Sequence, residues 1–343
     1  MAGFSSKVIA ALAAGSMVLA GVPASAGILG DAINKSINSH GDGPTWTEHA
    51  DSFKGVSQVV LGQFTVVFLT KSVSYSGGGF LSTSNAAKAI GQLAGVSAED
   101  YQRVTDAVYA DFKAKLARSG VALVDPEAYY ASKYYQKVHN EEQGHAVTVP
   151  LEDKQSVEGT AWWPSSMAHR DNMALTLRFF DGNMANVYTA QYDYARSAKV
   201  PVLNVVYVVD FAEPAKSSGG GIFQSLNVKA ELAISPRGSQ MQLMDTSGKV
   251  GKVVLNKPMI EGGPFAEIRD ITSGVQKGME SAQMLGNIGG ALMGRGSQMF
   301  GKQMRMDRRI EYRVVDPKEW GEKVVHAGGQ TNDLMTGALA SLK

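Results

Sequence analysis

The chain has 343 residues, 33 Lys and Arg against 32 Asp and Glu, and no cysteine. Such a balance excludes general nucleic-acid binding, which needs a basic face. The lack of cysteine excludes disulfides and leaves no thiol for a lipid anchor, and a chain this long can bury a large core without such staples.

The first 26 residues have the pattern of a secretory signal peptide. Lys7 supplies a positive start, Val8 to Ala20 is apolar but too short to span a bilayer, and Ala24-Ser25-Ala26 is a small-residue cleavage site. Removing Lys7 leaves 32 basic residues against 32 acidic ones. No later run reaches the roughly 18 apolar residues of a spanning helix. Residues 27–55 are polar and contain the breaker Gly41-Asp42-Gly43-Pro44, which predicts an N-terminal arm outside the core.

Val56 to Val73 is rich in valine, phenylalanine and threonine and predicts a strand, ending at Ser76-Gly77-Gly78-Gly79. Ser97-Ala98-Glu99-Asp100 opens a helix whose apolar face is Tyr101, Val104, Val108, Phe112 and Leu116. Ser119-Gly120 closes it, and Val121 to Val124 forms a short strand. Asp125-Pro126 starts an aromatic helix carrying Tyr129, Tyr130, Tyr134 and Tyr135. A strand, a helix and a strand in this order predict an α/β (or α+β) layer with crossover helices.

Residues 140–170 are expected to form an irregular insert containing Trp162-Trp163-Pro164. Met173 to Phe180 alternates as a strand, 183–197 has helical spacing, and Val202 to Phe211 is the strongest strand signal. Ser217-Ser218-Gly219-Gly220-Gly221 follows it and repeats the glycine run near residue 76; two loops at one end of a sheet and coincidence explain the repeat equally well. Leu226 to Ile234 and Gln240 to Asp245 predict strands, and Thr246 to Lys249 turns back into Val250 to Leu255. The α/β domain is thus bounded at 56–260. Residues 261–343 hold a Gly/Met-rich segment, a strand from Arg309 to Val315 and a terminal helix capped by Asp316-Pro317.

Within that last part, small residues recur every fourth position at Gly274, Gly278, Ala282, Gly286, Gly290 and Gly294. Such a stripe lets another helix or a lipid surface approach closely. Each glycine costs an exposed helix roughly 1 kcal/mol relative to alanine, so regular spacing implies that packing offsets the cost. The alternative is a flexible glycine- and methionine-rich linker. Lys277, Glu280 and Arg295 leave too short a charge-free stretch to cross a bilayer. The nearby Met279, Met284, Met293, Met299, Met304 and Met306 offer an adaptable apolar surface.

The strand ending in Val-Asp-Pro, the run Val205-Val206-Tyr207-Val208-Val209-Asp210-Phe211 and the hairpin Leu243-Met244-Asp245-Thr246-Ser247-Gly248-Lys249-Val250 carry a resemblance. They are similar to the periplasmic α/β module of the curli secretion pore protein, the TolB N-terminal domain and lipoprotein activators of penicillin-binding proteins. The resemblance spans residues 56–260. It implies a non-enzymatic envelope module that binds partners or assembles into rings. Two departures stand against it: there is no lipid-accepting cysteine, and the transmembrane hairpins of the pore have no counterpart in the sequence.

Catalytic motifs are absent: neither G-x-S-x-G, G-x-x-x-x-G-K-[ST] nor G-x-G-x-x-G occurs. His139, Glu141, Glu142 and His145 are the best metal candidates but lack the spacing that puts two imidazoles one helical turn apart. His169 with Asp171 is half of a base–orienter pair without a nucleophile. Arg305, Arg308, Arg309 and Arg313 gather solvated charge. Two adjacent tryptophans in a loop are expected to leave one exposed, which makes Trp162 and Trp163 contact candidates.

The expectation is an exported, periplasmic or outer-membrane-associated protein without cofactor. Its partner is itself, another envelope protein or a membrane surface, met through Gly274, Gly278, Gly286, Gly290 and Gly294. A ligand- or peptidoglycan-binding module using the glycine loops and tryptophans is a second expectation. A metallohydrolase using His139 and His145 is a third.

Overall fold

The computed structural model describes residues 42–75, 88–138, 140, 142–150, 156–170, 182–211, 231–272 and 307–342. It is a mixed α/β protein, with two mixed sheets and four α-helices among the described residues. The signal-like segment, the strand expected at Met173 to Phe180 and the small-residue stripe at 274–294 lie outside the described residues.

Two strands fix the centre of the main sheet. β2 (Gln58–Leu69) and β8 (Val202–Asp210) contain long uncharged runs, as strands buried on both faces do. They pair in parallel from Val60↔Val202 to Phe68↔Val209, with a bulge between Leu61 and Gln63. Gly62 lies in that bulge. A β-carbon there would sit 2.7 Å from both Asn204 Oδ1 and a Val202 methyl, so only glycine fits.

Around this pair the sheet runs β1 (Thr45–Glu48), β11 (Val250–Leu255), β10 (Gln240–Met244), β8, β2, β7 (Ser156–Trp162) and β6 (His145–Pro150). The short β5 (Ala122–Val124) pairs with the start of β2. β9 (Leu232–Ile234) extends beside β8 and carries β12 (Met259–Glu261).

One face of this sheet is covered by α1 (Ala98–Arg118) and α4 (Pro317–Leu342). Both start on side-chain caps. Ser97 Oγ accepts the Asp100 amide at 3.2 Å while Asp100 accepts the Ser97 amide at 3.2 Å. The Asp316 carboxylate accepts the amides of Lys318 and Glu319 at 2.9 and 3.2 Å. Under the helices, Phe64 meets Phe112 and Tyr207, and Phe68 meets Tyr101 and Trp320, with ring centroids 4.7–5.8 Å apart. Burial pushes the Tyr101 phenol up to about 12.

The two helices run side by side in the same direction, Gly321 against Val104 and Gly328 against Val108. A β-carbon on Gly328 would lie 2.9 Å from a Val108 methyl, so the glycine sets the helix separation. Asn332 completes the joint. Its amide donates to Val108 O at 3.1 Å and to Asp111 at 2.8 Å, and its oxygen accepts the Tyr207 hydroxyl at 2.8 Å. Lys115 bridges Asp111 and Asp333 at 3.0 and 2.8 Å.

The opposite face is covered by α3 (Gly182–Ala198) and by the tyrosine segment, and it buries polar side chains among its valines. Gln191 and Asn204 exchange two 2.9 Å hydrogen bonds while fully buried. Gln63 donates to Thr65 at 2.6 Å.

Several expectations change. The arm predicted for 27–55 ends early: β1 pairs with β11, and Phe53 is buried. The aromatic helix is two pieces, α2 (Glu127–Tyr130) and a 3₁₀ turn (Tyr135–Lys137). Ser132 separates them by accepting the Tyr135 amide through both its carbonyl and its hydroxyl. The insert expected over 140–170 contains the β6–β7 hairpin, where Val147 and Val149 alternate inward. By its contacts Gly43–Lys343 is one compact unit.

The second sheet has the order β13 (Ala266–Asp270), β14 (Asp307–Val314), β4 (Lys88–Ala94) and β3 (Lys71–Tyr75). It is two antiparallel pairs side by side, β3 with β4 and β13 with β14, with β4 and β14 parallel. β3 continues β2 after a break at Thr70, so the small sheet grows out of the main one.

Candidate interaction surface

The small sheet has two unlike faces. Ile310, Tyr312 and Val314 are buried on one side, where Tyr312 meets Phe211 at 5.1 Å and burial pushes its phenol up to about 12. Gly91 makes room for that ring: a β-carbon there would lie 2.8 Å from Tyr312. The other face carries a checkerboard of charge. Glu267 lies opposite Arg313 and Arg269 opposite Glu311. Along each strand Arg269 pairs with Glu267 at 2.6 Å and Arg313 with Glu311 at 2.9 Å. Exposed pairs of this kind contribute little to stability. Arg309 and Arg313, grouped in the sequence as solvated charge, fall on this face; Arg305 lies outside the described residues.

β13 and β3 form the edges of this sheet, and among the described residues neither has a strand partner on its outer side. β13 exposes Ile268 by 46%, and Ile271 just beyond it by 42%. An unpaired strand edge offers backbone N–H and C=O groups to another chain, although charge and shortness such as β13 has blunt that tendency.

Strand direction places the ends of the chain breaks together. Tyr75, Lys88 and Asp307 stand level with one another across the sheet, and Asp270 ends β13 at the same side. β8 runs parallel to β2 and ends before Phe211, whose ring packs on Tyr312. The residues flanking 76–87 and 273–306 therefore share one end of the small sheet, and Phe211, which precedes 212–230, packs on Tyr312 of that sheet. Those spans carry the glycine runs 77–79 and 219–221 and the stripe containing Gly274, Gly278, Gly286, Gly290 and Gly294.

The tryptophans do not form a contact surface. Trp163 is fully buried and Trp162 is 8% exposed. The backbone between them is held so that both rings turn inward. Gln143 accepts the Trp163 amide at 3.0 Å and donates to its carbonyl at 2.8 Å, and Gln102 donates to the same carbonyl at 2.9 Å. Trp162 donates to Thr160 at 3.0 Å and lies over Gly144, whose φ of +71° requires glycine.

The other candidates are placed as follows. His139 and Glu141 lie outside the described residues, and among those described no three His, Asp or Glu side chains could hold a metal. Asp125 caps α2 by accepting the Glu127 amide at 3.0 Å. Tyr129, Tyr130 and Tyr135 are buried, packed on one another and, through Tyr129, on Tyr194 of α3. Asp171 lies outside the described residues, and His169 meets Asn140 at 3.4 Å and stacks on Tyr130 at 4.2 Å.

Sequence reasoning found β14 but missed β3, β4 and β13, and so missed the charged face. Its signal was present: Glu267-Ile268-Arg269 and Arg309-Ile310-Glu311-Tyr312-Arg313 alternate with period two. No protein-family model, curated protein or solved structure matches the chain significantly. No described helix is long and apolar enough to cross a membrane, which says nothing of strands.

Proposed function

We propose that this chain is an exported, non-enzymatic protein of the bacterial cell envelope that assembles with itself at the small-sheet end. The observation that carries the reading is the small sheet: two antiparallel pairs whose outer strands have no strand partner among the described residues, with Ile268 and Ile271 exposed and glycine-bearing spans leaving the fold beside it. The signal-like first 26 residues support export, and the resemblance to periplasmic assembly modules supports the envelope. The stripe of small residues would supply close contact beyond the sheet.

The test is the behaviour of the mature protein, residues 27–343, in sedimentation and in flotation with liposomes. The reading expects oligomers, or association with lipid, that Gly286→Leu with Gly290→Leu weakens while the far-ultraviolet spectrum is unchanged. A mature protein that stays monomeric and ignores lipid overturns it.

A further inference from the structure

The outer edge of β13 offers its backbone in a fixed phase. Just past the strand, the Ile271 amide donates to Arg309 O at 2.9 Å, in line with the register of β13 on β14. In an antiparallel pair that direction alternates from residue to residue. The backbones of Glu267 and Arg269 therefore turn toward β14, and that of Ile268 turns to the outer edge. The side chains alternate between the faces. Glu267 and Arg269 stand on the charged face, while Ile268 shares the face of its partner Tyr312 yet is 46% exposed.

We propose that two copies of the chain pair β13 against β13, antiparallel, about a two-fold axis through Ile268. The proposal rests on the reading of the small sheet as an assembly surface, and it specifies the strand and the register. Ile268 exchanges both backbone hydrogen bonds with its own counterpart. The axis sets Glu267 opposite the partner's Arg269 and Arg269 opposite the partner's Glu267, as an isologous interface requires. Each row on the charged face then alternates in sign over four strands: Arg313, Glu267, the partner's Arg269 and the partner's Glu311. On the other face the two Ile268 side chains cover each other.

Neighbouring registers fail. Moving the axis by one residue sets Glu267 against its counterpart, or Arg269 against its counterpart, and like charges directly opposite are destabilising. Moving it by two sets Asp270 against its counterpart, or sets Ile268 against the partner's Pro264, which has no amide hydrogen. The charges that blunt this edge toward other strands thus select a copy of itself. β3 is the poorer edge, because its start is held to β7: Lys71 pairs with Glu158 at 2.7 Å, and the Thr70 amide donates to Glu158 O at 3.0 Å.

The experiment has two arms, both on the mature chain. The chain has no cysteine, so single thiols report the register. Ile268→Cys, treated with a short thiol-to-thiol cross-linker, should give a covalent dimer. Ile271→Cys is nearly as exposed, 42% against 46%. Its two copies stand six positions apart along the strands, ~20 Å, and should not be linked. In sedimentation, Glu267→Arg alone and Arg269→Glu alone set like charges together and should each weaken dimerisation at least about tenfold. Mixed in equal amounts, the two variants are complementary at both positions and should associate as the wild type does. Each variant's own fold is the same alone and in the mixture, so recovery on mixing reports the interface and not stability. A wild type that associates overturns the inference, and leaves assembly through another surface standing, if the single variants associate equally well, if mixing brings no recovery, or if Ile271→Cys links as readily as Ile268→Cys. A wild type that stays monomeric overturns both.

Discussion

The main sheet buries side chains on both faces, whereas the small sheet buries one face and gives the other to charge. In the main sheet Phe64, Phe68 and Tyr207 lie beneath α1 and α4, while Gln63, Thr65 and Asn204 lie beneath α3. In the small sheet Tyr312 is buried but Glu267, Arg269 and Arg313 are about half exposed. The contrast divides labour: the main sheet holds the fold, and the small sheet has surface to spare for a partner.

Substitutions can break or sharpen that division. The largest effects belong to the main sheet. Trp163→Ala should cost about 3–5 kcal/mol, the range for a buried aromatic truncated in a core, read as a lower urea midpoint. Gly62→Val should do comparable damage, because its side chain would overlap Asn204 and Val202. A small loss at either position would mean that the main sheet is not the core.

A middle class of effects tests the joint between α1, α4 and β8. Asn332→Leu strands the Tyr207 hydroxyl and removes one of the donors to the Asp111 carboxylate, which keeps Lys115, and should cost about 1–3 kcal/mol. The buried phenols add a pH dependence. Tyr101 and Tyr312 ionise near pH 10 in an unfolded chain but only near about 12 when folded. Their folded-state values are raised, so their contribution is complete below about pH 10 and is lost as pH rises from there to about 12. Urea midpoints of Tyr101→Phe and Tyr312→Phe should therefore fall less steeply over that interval than the wild type.

The smallest effects on stability belong to the small sheet. Ile268→Lys should change the urea midpoint by the equivalent of less than about 0.5 kcal/mol, as exposed sites do. A large loss there would place Ile268 in a core and erase the contrast between the sheets.

The sequence revealed the main sheet better than the small one, for a physical reason. β2, β8, α1 and α4 announce themselves through long apolar runs, a capping box and Asp316-Pro317. β13 is short and carries three charges and β4 is interrupted by Gly91, so local pattern did not distinguish them from loops. The tryptophan pair misled because adjacent residues on a strand point to opposite faces; Trp163 lies just past β7, where the bonds from Gln143 and Gln102 turn the chain. The glycine contact that the structure describes between helices is at Gly321 and Gly328, where wide spacing made it inconspicuous beside the regular stripe at 274–294.

Sedimentation velocity of the mature protein over a range of concentrations, wild type beside Ile268→Lys, tests the central claim most directly. The account predicts a concentration-dependent oligomer for the wild type and a shift toward monomer for the variant, at unchanged thermal stability. Identical sedimentation of the two proteins, whether as monomers or as oligomers, would contradict the assignment of the small sheet as the assembly surface.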